Sequence, residues 1–225
     1  MITPFDWQES MGHRASFVQT RLQSGTPVLM ASVTEGILAF TMRRNARKLF
    51  EIYDRLMFSA IGQQSDMEQI RVASIDFAHQ EGFNRSEEDV TIQRVVSAIS
   101  APLKRAFADF NTAPFVVQGL FAEVADSPEG DQYYLLDFDG DFTTLKARGY
   151  LCGSTEGDAA IHAELKKIDF LKLDLKSAIA ELQRVWALAL SPDGKQSFEK
   201  LSQNLVPEVA LLERAPKGEQ RFKLL

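Results

Sequence analysis

What most constrains this chain is the order of its strand-like and helix-like patterns, which come in blocks and do not alternate. Val28–Val33 and residues 36–41, joined by a tight Thr34-Glu35-Gly36 turn, read as two strands, and residues 52–61 as a third. Two helical patterns follow. Ser65 stands at capping-box spacing before Glu68, and Met67, Ile70, Ala73, Phe77 and Ala78 then recur at helical intervals. Val72 and Ile75 widen that face, and Gly82 with Asn84 ends it. Ser86 and Asp89 open a second helix with Ile92, Val95, Val96, Ile99, Leu103, Phe107 and Phe110 on one side and Pro102 as a kink point.

Residues 115–124, 133–138 and 142–151 return to β-branched and aromatic composition, with Asp139-Gly140 as a hairpin signal between the last two. Helices over 158–170 and 174–190 come next, the latter turning Leu175, Ile179, Leu182, Trp186 and Ala189 inward. Val206–Glu213 and residues 221–224 close the chain as strands, with Pro207 at an edge or a start. Strands, helix pair, strands, helix pair, strands is the order of an α+β layered domain. Ahead of it, Trp7, Met11, Ala15, Val18 and Leu22 form one stripe of an amphipathic helix capped by Asp6. One domain plus this helix accounts for all 225 residues, and such a length can close a core without disulfides or metal.

Several function classes are disfavoured. A net charge of −6 repels a phosphate backbone, so no nucleic-acid partner is expected; the longest basic cluster, Arg43-Arg44 with Arg47-Lys48, is short, is followed by Glu51 and Asp54, and reads as a solvated face. His13, His79, His162 and the single Cys152 lie far apart, so no metal site is expected, and Asp137, Asp139 and Asp141 fit a hairpin better than a calcium loop. No glycine-rich phosphate cradle is present, so no cofactor is expected. The amino terminus lacks the pattern of a signal peptide, and no run reaches the roughly 18 apolar residues of a membrane span. With one unpaired cysteine, the expectation is a soluble cytoplasmic protein with no membrane contact.

Short blocks in the same order as these elements resemble proteasome subunits, members of the N-terminal-nucleophile hydrolase superfamily, and bacterial α subunits most of all. They are Arg47-Lys48-Leu49-Phe50-Glu51-Ile52-Tyr53-Asp54-Arg55 running on to Phe58-Ser59-Ala60-Ile61-Gly62, then Asp89-Val90-Thr91, Ala122-Glu123-Val124-Ala125 and Cys152-Gly153-Ser154-Thr155-Glu156. The resemblance implies a four-layer αββα sandwich over residues 25–225, preceded by a gate segment and amphipathic helix over 1–24. The family divides into catalytic β and inactive α subunits. A β subunit frees a threonine after glycine and tunes it with a lysine and an aspartate. Gly25-Thr26 supplies such a threonine and Lys48 falls at the lysine position, but Met42 stands where the aspartate belongs and Pro27 follows the threonine. A thioether supplies no negative charge, which leaves the lysine without a charge partner.

On the α-type reading the chain performs no bond chemistry. Lys48 resembles the pocket lysine that pairs with the carboxyl terminus of an activator, and Gly25 and Gly62 resemble glycines of that pocket. Gln63 stands next, where the family often has an apolar or charged residue. Met1, Ile2, Thr3, Pro4, Phe5 and Asp6 would form the gate, and seven copies would make a ring stacked on rings of β subunits and docked by an activator or ATPase ring. The alternatives are a β-type threonine peptidase processed to Thr26, and a divergent self-assembling member with no protease.

Overall fold

A computed structural model of the chain describes residues 4–216, 218 and 220–225. Its helices are α1 (Pro4–Leu22), α2 (Gln64–Asn84), α3 (Ile92–Ala108), α4 (Thr155–Leu165), α5 (Leu175–Leu190) and the single turn α6 (Phe198–Leu201). The strands are β1 (Val28–Val33), β2 (Gly36–Arg43), β3 (Phe50–Tyr53), β4 (Leu56–Gly62), β5 (Val117–Glu123), β6 (Gln132–Leu136), β7 (Phe142–Lys146), β8 (Arg148–Leu151), β9 (Val206–Glu213) and β10 (Phe222–Leu224). They form two five-stranded sheets, ordered β10-β9-β2-β1-β8 and β3-β4-β5-β6-β7, antiparallel throughout.

The layers follow from the two-residue period of a strand. Val28 and Met30 of β1 point into the core between the sheets with Met57, Leu120 and Leu212, whereas Leu29 and Ala31 point the other way, against Ile161, Leu182 and Trp186 of α4 and α5. The second sheet does the same: Leu56, Phe58 and Ala60 meet Ile70 of α2 and Val95, Val96 and Ile99 of α3. Because each sheet is covered on both faces, β1 is buried at every position and reads as an unbroken apolar run. The result is the four-layer αββα sandwich. Helix α1 closes one end of the inter-sheet core with Val18 and Leu22, both essentially buried.

Several expectations are corrected. Residues 52–61 are not one strand but the hairpin of β3 and β4, turning at Asp54-Arg55. Residues 142–151 are split at Ala147, whose φ of 62° breaks the strand, so that β7 ends one sheet and β8 begins the edge of the other. The capping box does not form: α2 starts at Gln64, so Ser65 is already inside the first turn and its hydroxyl donates to Asp66. Val72 and Ala73 face solvent, and Ser74 takes the inward place between Ile70 and Ala78. Asp6 lies within α1 and not ahead of it, and Phe110 lies beyond α3. The helix expected over 158–170 is α4, shifted to Thr155–Leu165, with a separate 3-10 turn at Phe170–Lys172.

Candidate functional site

The site lies where α1 ends, β2 ends and α2 begins. Thr26 occupies the short link between α1 and β1, and its hydroxyl donates to the Met42 carbonyl at 2.8 Å. Lys48 Nζ donates to that same Oγ1 at 2.8 Å and to the Thr26 carbonyl at 2.7 Å, which occupies two of its three N–H groups. Burial pushes the Lys48 ammonium down to about 7, against the pull of the Glu208 charge. Near neutral pH the amine therefore exists in both protonation states.

The Met42 side chain, 2% exposed, packs with Leu29, Phe40 and Trp186 in the core beneath α4 and α5. The expectation that Lys48 has no charge partner needs correcting, because Glu208 of β9 lies close enough to raise its affinity for a proton. Glu208 is 6% exposed, opposite Thr41 in the β2–β9 register. Its carboxylate accepts from the Lys48 amide at 2.9 Å and the Leu49 amide at 3.3 Å, and lies 3.7 Å from Arg43 Nε and 3.6 Å from Arg47 Nε. It fastens the loop that carries the lysine without contacting the ammonium. A signal for it was present in the sequence: Glu208 shares strand parity with Ala210 and Leu212, both directed into the inter-sheet core.

Two glycines shape the site. Gly62 has φ of +132°, and a Cβ there would lie 2.0 Å from the Val116 carbonyl, the same oxygen that accepts from the Gln63 amide at 2.7 Å. At Gly25 a Cβ would sit 2.9 Å from Ile61 Cβ, so the end of α1 lies too close to β4 for a larger residue without a shift.

Gly25, Thr26, Lys48 and Gly62 line one cleft of about 220 Å³, together with Arg43, Arg44 and Gln64. Gln63 does not line it; as the N-cap residue of α2 it turns its amide to Ser65, and Gln64 takes the place expected of it. Met1, Ile2 and Thr3 of the expected gate lie outside the described residues, while Pro4, Phe5 and Asp6 already belong to α1. Among the described residues no group of three or more His, Cys, Asp or Glu could hold a metal ion. No helix among them is long and apolar enough to cross a membrane.

Two antiparallel sheets between helix pairs, with a threonine and a lysine in contact at the head of the first strand, define an N-terminal-nucleophile hydrolase-like sandwich. A family profile described as "Proteasome subunit" matches residues 24–198. The chain is 30% identical to "Proteasome subunit alpha" of Acidothermus cellulolyticus over 99% of its own length and 94% of that protein. It is 30% identical to the Thermobifida fusca protein of the same name (92% and 80%) and 27% identical to that of Streptomyces scabiei (99% and 88%). The chain belongs to the proteasome-subunit family, as an α-type member.

Proposed function

We propose that the chain is a non-catalytic ring subunit that assembles with copies of itself and with β-type proteasome subunits, restricts substrate entry, and docks an activator through the cleft around Lys48. The observation that carries this reading is the state of Thr26. Its hydroxyl proton is committed to the Met42 carbonyl at 2.8 Å, and the residue that by the family resemblance stands where a tuning carboxylate belongs, Met42, is a buried thioether. Cleavage before Thr26 would also strip α1 from the core. Exposing Val18 and Leu22 alone costs about 1.5–3 kcal/mol apiece, which argues against α1 as a disposable leader.

The docking half of the proposal draws on the convergence of Gly25, Lys48 and Gly62 on one cleft, with an N–H of the protonated lysine left over for a carboxylate. Replacing Lys48 by Ala or Glu in assembled particles should abolish activator-stimulated protein degradation and leave hydrolysis of small peptides unchanged. Stimulation that survives both substitutions refutes the docking role.

One observation favours the rival, a threonine peptidase processed between Gly25 and Thr26: Lys48 Nζ donates to Thr26 Oγ1 at 2.8 Å, the contact through which a lysine would tune a threonine nucleophile. Amino-terminal sequencing of the assembled chain separates the two. Material beginning at Thr26, with peptidase activity lost in Thr26→Ala, would establish the rival; a chain that retains α1 excludes it.

A further inference from the structure

The run Arg43-Arg44 with Arg47-Lys48 looks neutralised in the sequence by Glu51 and Asp54. In the fold those acids turn elsewhere. Asp54 pairs with Arg221 at 3.1 Å and Glu51 accepts from Gln220 at 3.5 Å, and both line a different hollow beside Tyr53 and His79. Glu208 is occupied by the amides of Lys48 and Leu49 and by Arg43 and Arg47. Asp66, in the first turn of α2, accepts from the Val116 amide and the Ser65 hydroxyl.

What remains at the cleft is positive potential. Arg44 is exposed at its lip and makes no hydrogen bond or ion pair with any described residue. In its ammonium form Lys48 keeps a third donor. Helix α2 begins at the same place with no side-chain cap on its first-turn amides, so the partial positive charge of a helix N-terminus is offset only by Asp66. All this lies on a chain of net charge −6, so an acidic ligand is repelled by most of the surface and drawn to this one spot.

We propose that the cleft receives the carboxyl terminus of a partner protein that carries an acidic side chain one or two residues before its end. The terminal carboxylate meets Lys48 and the first turn of α2, and the acidic side chain meets the guanidinium fork of Arg44. A cleft of about 220 Å³ admits the end of a chain. The inference rests on the docking reading and adds a second charge requirement to it.

Fluorescence anisotropy with the full chain, alone and co-assembled with its β-type subunit, tests this using four labelled peptides. One ends in Ala-Glu-Leu with a free carboxylate; the others carry Gln or Lys for Glu, or a terminal carboxamide. The Glu peptide should bind about fivefold tighter than the Gln peptide at low salt, the scale of a half-exposed charge-assisted contact, with the gap narrowing as salt rises. Arg44→Ala should erase the gap, and Arg44→Glu should turn the preference toward the Lys peptide. Equal binding of the Glu and Gln peptides, with the carboxamide weaker, overturns the acidic subsite and leaves the docking reading standing. Equal binding of carboxylate and carboxamide overturns both.

Discussion

Helices α2 and α3 lie against the same sheet, yet their N-termini are treated in opposite ways. The first amide of α3, at Ile92, donates at 2.8 Å to Glu123, a carboxylate delivered from β5 and only 7% exposed. The first turn of α2 receives no side-chain cap and opens into the cleft beside Lys48. A helix N-terminus attracts negative charge in either case. At α3 the fold supplies that charge itself, at the cost of burying a carboxylate whose pKa is raised by desolvation. At α2 no side chain caps the first-turn amides, and the one acid of that turn, Asp66, is engaged by the Val116 amide and the Ser65 hydroxyl, which leaves room for an incoming carboxylate.

The largest effect is expected at Gly62, whose positive φ is what lets β4 turn into α2. Gly62→Ala puts a Cβ onto the Val116 carbonyl and should cost about 3 kcal/mol or more, read as a lower denaturant midpoint, with the α2 N-terminus displaced. A loss under about 1 kcal/mol would mean that the entry to α2 is not held by this contact. Removing the built-in charge is the next test. Glu123→Ala leaves the buried Ile92 amide without its acceptor and should cost about 2 kcal/mol, without affecting peptide binding at the cleft.

The smallest effect is the most discriminating. Gln63→Asp would give α2 the capping side chain it lacks, so the variant should gain about 0.5–1 kcal/mol of stability while binding carboxyl-terminal peptides more weakly, because the new carboxylate occupies the place of the ligand's. A gain in stability with undiminished binding would show that the first turn of α2 takes no part in recognition.

Much of the fold is legible in the sequence because it rests on local periodicity. The stripe from Ile92 to Phe107 and the doubly buried run Val28–Val33 each state their own structure. Errors fall where a single backbone event decides. Ser65 matched a capping box, but the turn that Gly62 permits starts the helix one residue before it. Residues 142–151 have continuous strand composition, and only the left-handed turn at Ala147 divides them between two sheets. In the site, Gly25, Thr26, Lys48 and Gly62 were identifiable through the family resemblance, and the structure brings them to one cleft.

By itself the sequence determined the α+β order of elements, the apolar faces, and the absence of an acid at position 42, since each is a property of neighbours along the chain. Only the tertiary structure decided that Glu208, 160 residues from Lys48, would fasten the lysine's loop, and that Glu51 and Asp54 would turn away from Arg44. The physical reason is that charges act through distance in space. Whether a basic run is neutralised depends on where the chain sends the neighbouring acids, and composition along the chain carries no record of that.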